Sequence, residues 1–181
     1  MKKLLLVVAV ACFSLAANAQ DESKFTVYGG VGLSTLVGSD TDNTKSIFAY
    51  KVGINYDISL SDNFSIKPGL EFVNKGYKYK RGVTGSINMD YLQIPILAAY
   101  KFNLGDNKLV INAGPYVSYG LFGSEITWED GSKTKIFDKD SGGFKRFDAG
   151  VLAAINYEFS QFMVGLEYSR GLTKLDSNYK I

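Results

Sequence analysis

The 181 residues contain no histidine, a single cysteine, a single tryptophan and three prolines. Without an imidazole the usual general base of ester hydrolysis, acyl transfer and peptide cleavage is missing, and neither haem nor zinc finds its common ligands. The one cysteine, Cys12, lies inside an N-terminal apolar run. Once that run is removed the chain has no disulfide, no cysteine metal site and no thiol nucleophile. No stretch approaches the roughly 20 apolar residues that a membrane-crossing helix needs. Charge of neither sign dominates: of 20 Lys and Arg, Lys2 and Lys3 belong to the N-terminal segment, which leaves 18 against 18 acidic residues. A broad basic face for nucleic acid is therefore absent.

The N-terminus has the three parts of an export signal. Lys2 and Lys3 carry charge, Leu4 to Leu15 are apolar, and Ala17-Asn18-Ala19 supplies small residues for cleavage. Residues 1–19 are read as a signal peptide and 20–181 as one domain beginning at Gln20. A lipid-anchored alternative at Cys12 is disfavoured, because Ala9-Val10-Ala11 is a poor lipobox.

What the mature segment does have is period-two alternation, the mark of strands with two unlike faces. From Phe48 to Leu60 the even positions are Phe48, Tyr50, Val52, Ile54, Tyr56, Ile58 and Leu60, and the odd ones Ala49, Lys51, Gly53, Asn55, Asp57 and Ser59. Seven such segments follow one another. The first carries Phe25, Val27, Val31 and Leu33 on its apolar face, the third Phe64, Ile66, Leu70 and Phe72. The fourth runs from Leu92 to Phe102, the fifth from Leu109 to Leu121, the sixth from Phe147 to Phe159 and the seventh from Phe162 to Tyr168. Most exceed the 5 to 6 residues usual in soluble sheets and suit the 9 to 11 that a tilted strand needs to cross a bilayer.

The connections alternate in length. Ser61 to Asn63, Gly105 to Asn107 and Ser160-Gln161 are tight, whereas Gly38 to Ser46, Tyr77 to Asp90 and Gly123 to Lys145 are long and polar. Short turns at one end and long loops at the other is the layout of outer-membrane barrels, with turns in the periplasm and loops outside. Apolar-face aromatics gather at both strand ends: Phe25, Tyr56, Phe64, Tyr100, Phe102, Tyr157, Phe159 and Phe162 at one, Phe48, Tyr50, Phe72, Tyr119, Phe147 and Tyr168 at the other. Such girdles mark the two membrane interfaces.

The opposite faces carry Lys51, Asn55, Asp57, Lys67, Glu71, Gln93, Lys101, Asn112, Tyr116, Arg146, Asp148, Asn156, Glu158 and Glu167 among several glycines. In a narrow interior each charge needs a partner, and a barrel of about eight strands is roughly filled by its own side chains. The mixture is read as a structural core. Glu158 and Glu167 on adjacent strands are read as partners for Lys and Arg instead of an acid/base pair. Asp40-x-Asp42 and Asp138-x-Asp140-x-Gly142 resemble calcium ligands but complete no loop motif. Asp130-Gly131 signals a hairpin that carries Trp128 beyond the membrane. Lys75, Lys78, Lys80 and Arg81 form a basic cluster placed at the outer rim, within reach of lipopolysaccharide phosphates.

Four segments bear a likeness to a known family: Ile66-Lys-Pro-Gly-Leu-Glu-Phe72 with Lys75-Gly76, Asp90-Tyr-Leu-Gln-Ile-Pro-Ile-Leu97, Ala113-Gly-Pro-Tyr-Val-Ser-Tyr119, and Gly165-Leu-Glu-Tyr168 with Gly171-Leu172. The chain resembles the PorT-like outer-membrane β-barrel proteins, also labelled porin-family or outer-membrane β-barrel domain proteins. The resemblance implies an eight-stranded barrel in the outer membrane and carries over no activity and no site residue. One branch of that family is associated with protein secretion. Family members close with an eighth strand and a terminal aromatic, whereas this chain stops at Asn178-Tyr-Lys-Ile181. The sequence is therefore expected to be truncated before its last strand, or to pair its first and seventh strands directly, because open edges in lipid leave backbone groups unsatisfied.

The expectation is an all-β, antiparallel up-and-down transmembrane β-barrel of the eight-stranded type, seven strands evident and the C-terminal strand missing. It is non-enzymatic, has no catalytic, cofactor or metal residues, and acts as a scaffold or through its outer loops. Outer-membrane lipid, and lipopolysaccharide at the rim, are the expected partners, and nucleic acid is not. A narrow solute channel and a soluble periplasmic barrel holding an apolar ligand are the alternatives.

Overall fold

A computed structural model describes residues 5–16, 25–37, 44–79, 86–121, 125–127, 133–135 and 146–173. Twelve strands are present in that set: β1 (Leu5–Ala16), β2 (Phe25–Val37), β3 (Thr44–Lys45), β4 (Ile47–Tyr56), β5 (Ile58–Ser59), β6 (Phe64–Tyr79), β7 (Ser86–Leu104), β8 (Asn107–Gly120), β9 (Glu125–Thr127), β10 (Lys133–Lys135), β11 (Phe147–Phe159) and β12 (Phe162–Gly171). Their pairing is antiparallel throughout. Long strands follow the order β1-β2-β4-β6-β7-β8-β11-β12, and β12 returns to β1. The seven predicted segments correspond to β2, β4, β6, β7, β8, β11 and β12.

The described strands form a ring in which a segment outside the seven predicted ones takes part. The eighth place is taken by β1, which pairs from Leu5 to Ala16 with β2 and from Val7 to Leu15 with β12. The first and seventh segments are thus not direct partners. Closure satisfies the backbone of both neighbours, yet the sequence of β1 has no polar face, unlike the seven strands it joins.

Period-two alternation has the physical consequence it predicts. Along β11 the side chains alternate exposed and covered, with Phe147, Val151, Ile155, Tyr157 and Phe159 outside and Asp148, Leu152, Ala154 and Asn156 within. Leu166 is 72% exposed and Phe48 61%, while Lys51 and Glu71 are 3% and 1% exposed. Soluble proteins rarely show a continuous apolar surface of this extent; here it runs around the barrel and the polar residues are inside. The aromatics pair at the two ends as expected. Phe25 lies 4.7 Å from Tyr56 and Tyr100 4.8 Å from Phe102 at the turn end, and Tyr50 lies 6.3 Å from Phe72 at the loop end.

The tight turns fall where predicted. Gly105, with φ of +70°, opens the two-residue link from β7 to β8, and Ser160, with φ of +53°, the link from β11 to β12. The long loop expected from Tyr77 to Asp90 is mostly strand, because β6 continues to Tyr79 and β7 begins at Ser86, with Lys78 opposite Ser86. Extra pairing beyond the belt supports that extension: β9 lies on the start of β7, β10 on β9, and β3 on the end of β6. The β9–β10 pair is the hairpin foreseen around Asp130-Gly131, although that dipeptide and Trp128 lie outside the described residues.

All three prolines sit in long strands, beside gaps in the ladder. Pairing of β6 with β7 skips from Pro68–Ile96 to Glu71–Gln93, and pairing of β7 with β8 skips from Pro95–Tyr116 to Ala98–Ala113. A proline has no N–H to give the ladder.

Glycine is required where a bulky inward side chain leans on the wall. A Cβ on Gly150 would lie 2.6 Å from the Tyr116 ring and 2.2 Å from the Arg170 carbonyl oxygen, whereas one on Gly29 meets nothing nearer than 3.7 Å. Gly150→Ala should therefore cost about 1–3 kcal/mol through forced displacement of the ring or wall, and Gly29→Ala should stay within about 0.5 kcal/mol of wild type. Urea unfolding in detergent micelles will measure both. Equal midpoints for the two variants would contradict this packing.

Candidate functional site

Among the described residues, chemistry-bearing side chains converge in the interior, where they are arranged in three levels. At the turn end, Lys67 Nζ lies 3.3 Å from Asp57 Oδ2 and 3.7 Å from Glu158 Oε1, and Lys101 Nζ lies 2.8 Å from the same Asp57 oxygen. β4 ends just before Asp57, β6 supplies Lys67, β7 Lys101 and β11 Glu158, so this level draws the wall together from four sides.

At mid-height, Lys51 on β4 reaches Glu71 Oε1 at 3.0 Å and Glu167 Oε2 at 2.5 Å. Glu71 also accepts from Gln93 Nε2 at 2.7 Å and from the Tyr28 hydroxyl. The Lys51 ammonium stands 5.1 Å from the centre of the Tyr28 ring, a cation–π contact that adds to the ion pairs. Glu71 thus holds three donors, and Glu167 is bonded only through Oε2.

Toward the loop end, Lys75 Nζ lies 3.0 Å from Asp148 Oδ2 and above the rings of Tyr91 and Tyr116, at 4.6 and 5.0 Å. Tyr116 donates to Asp148 Oδ2 at 3.2 Å, and Thr173 to Oδ1 at 2.5 Å. Asn74 donates to Asp90 at 2.6 Å close by. Apolar inward residues, Leu97, Leu152 and Ala154, pack against Tyr116 between these levels.

The expected inward set from Lys51 to Glu167 faces the interior side of the wall, Arg146 apart, which precedes β11 and is half-buried. Three refinements follow. Lys75 is not part of a rim cluster: it is 2% exposed and bound to Asp148. Its odd position shares the inward parity of Glu71 and Val73, which places it inside. Lys78 is exposed, and Lys80 and Arg81 lie outside the described residues. Glu158 and Glu167 are not brought together, since Glu158 stands opposite Met163 and Glu167 opposite Ala154, and each is taken by a different lysine. Tyr28 and Tyr91, inward partners that the sequence reading passed over, sit on the polar parity of their strands, and that parity was the available signal. The two aspartate-rich loop motifs, around Asp40 and Asp138, lie outside the described residues.

Among the described residues no group of three or more His, Cys, Asp or Glu could hold a metal ion. What the geometry offers is a filled lumen whose charges lock distant strands to one another. Removing one partner from a buried pair leaves an uncompensated charge, at about 3–5 kcal/mol. Lys51→Met is accordingly expected to destabilise the barrel by that amount, and adding Glu71→Gln and Glu167→Gln to recover a large part of it. Urea midpoints at unchanged slope test this, and a single variant that unfolds like wild type would refute the locking role.

The profile of a family described as outer membrane protein beta-barrel domain matches residues 18–177. Similar solved structures include Ail, the attachment invasion locus protein of Yersinia pestis, at 8% identity, covering 94% of this chain and 96% of that one with a TM-score of 0.30. The same protein in complex with the heparin analogue sucrose octasulfate gives identical figures. The translocator domain of the autotransporter NalP from Neisseria meningitidis is similar at 9% identity, with 94% and 88% covered and a TM-score of 0.31. At such identities and scores the similarity says nothing of what this chain binds. No curated protein matches it.

Proposed function

The chain belongs to the outer membrane protein beta-barrel domain family, and from that premise we propose that it is a non-enzymatic, non-conducting integral outer-membrane barrel that acts as a scaffold or through its outer loops. The observation that carries this reading is the lumen itself: three levels of ion pairs and hydrogen bonds fill the interior, from Asp57–Lys101 through Lys51–Glu167 to Lys75–Asp148. Residues so committed to one another are poor catalysts and leave little room for solute. The apolar belt meets lipid, with the tight turns in the periplasm and the β9–β10 hairpin outside. At the outer rim, exposed Lys78, together with Arg170 just beyond Tyr168 on the lipid-facing parity of β12, supplies charge suited to lipopolysaccharide phosphates.

The finer affiliation, to the PorT-like branch, rests on Tyr91-Leu-x-Ile-Pro95 and Ala113-Gly-Pro-Tyr116. It is supported by their placement on neighbouring strands, where Pro95 stands opposite Tyr116. Residues 1–19 are proposed to act as the export signal, removed before Gln20. In support, the apolar run of β1 lacks the two-faced pattern of the other wall strands, and the family match begins only at residue 18. After removal, β2 and β12 face one another across the place that β1 occupies.

Recovery of the protein in carbonate-washed outer membranes, with heat-modifiable gel migration, an N-terminal sequence starting at Gln20 and no steady conductance in planar bilayers, is the expected outcome. Recovery in the soluble periplasm would overturn the membrane reading, sustained ion conductance the plugged one, and an N-terminus still carrying Leu5–Ala16 the export signal.

A further inference from the structure

The two lower levels of the lumen differ in charge balance. Around Asp57 the account closes, with Lys67 and Lys101 against Asp57 and Glu158. At mid-height it does not: Lys51 alone faces both Glu71 and Glu167. Glu71 is saturated by Tyr28, Lys51 and Gln93, so the uncompensated charge falls on Glu167, whose Oε1 takes part in no hydrogen bond among the described residues. A carboxylate without its own counter-charge in a narrow interior is costly.

Between these two levels lies a cavity of about 30 Å³, lined among others by Glu167, Asn55, Asn112 and Asn156. That volume exceeds the roughly 10–15 Å³ that one water-sized particle requires. Two of its lining residues carry buried acceptors with no donor, Asn55 Oδ1 and Asn112 Oδ1, and Asn112 is only 4% exposed. Buried acceptors are nearly always satisfied in folded proteins. One uncompensated carboxylate and two unpaired amide oxygens thus line the same small space.

We propose that this cavity binds a monovalent metal cation of the sodium or potassium class, held between the Glu167 carboxylate and the amide oxygens of Asn55 and Asn112. Oxygen ligands of this kind replace a cation's hydration shell. The charge required is one, because a single carboxylate is uncommitted; a divalent ion would leave an excess positive charge beside Lys51 and Lys67. The ion ties β12 to β4 and β8 at the level where Lys51 already ties β4 to β6 and β12, and so completes the mid-height lock. The site lies inside the wall and does not depend on which membrane holds the barrel.

The test uses full-length protein extracted in non-denaturing detergent from the membranes where it accumulates, its folded state verified by heat-modifiable migration. Urea midpoints are compared in sodium, potassium and choline chloride at equal ionic strength, and sodium-23 NMR line widths are recorded in parallel. A midpoint higher in sodium or potassium than in choline is expected, with broadening of the sodium line, and both effects should be lost in Glu167→Gln. Should that variant fail to fold, Asn112→Leu carries the same comparison. Equal midpoints in the three salts would overturn the proposal, since screening alone does not distinguish choline from sodium. So would stabilisation of wild type by acid with no sodium dependence, which would put a proton on Glu167 instead, and so would a line width unchanged by Glu167→Gln.

Discussion

The structure depends on one constraint: in an apolar medium each backbone N–H and C=O of the wall must find its partner inside the wall. A strand cannot satisfy itself, so the sheet must curve until its last strand meets its first. In this structure the place between β2 and β12 is taken by β1, which supplies backbone groups although its sequence shows no inward polar face; once the proposed export signal is removed, the edges of β2 and β12 need another partner. The same demand makes the three proline positions notable, since Pro68 and Pro95 lie beside gaps in the ladder on either side of β7 and Pro115 falls within the second of them.

Closure in turn creates a narrow interior, and the interior sets the second problem. The inward face cannot be apolar throughout without losing the two-faced pattern that orients the strands, and it cannot be charged without partners. The solution is a set of lysines that reach carboxylates on other strands. Lys51 joins β4 to β6 and β12, Lys67 joins β6 to β11, and Lys75 joins β6 to β11 at a higher level. Tyr28, Tyr91 and Tyr116 fill the space around the ammonium groups and offer them ring faces. Glycines at Gly53 and Gly150 leave the room these rings occupy.

The same lumen supports the proposed reading. Most of its described titratable groups are paired with one another, and the belt, the rim and the strands that rise above it are what a partner can reach. The extension of β6 and β7 past the aromatic girdle, with β3, β9 and β10 added at its flanks, gives the loop end a sheet of its own. A partner outside the membrane would meet that sheet first.

Much of this was readable from the chain because period-two alternation is local. Phe48 and Lys51 announce their faces from their immediate neighbours, and so do the aromatic girdles and the tight turns at Gly105 and Ser160. The reading misplaced what depends on distant segments. Lys75 looked like a member of a surface cluster with Lys78; its parity with Glu71 points inward, and the approach of Asp148, 73 residues away, makes it part of the core. The stretch from Tyr77 to Asp90 read as a loop, since nothing local reveals that β9 will pair with it. Which lysine meets which carboxylate is equally hidden: Lys51 and Glu167 are 116 residues apart, and their pairing follows from strand number, register and closure. The sequence by itself determined which side of each strand faces lipid and that the chain crosses with strands. Tertiary structure alone decided the ion-pair partners, the cavity they leave beside Glu167 and the closing of the ring, because these arise from contacts that exist only once the sheet has curled.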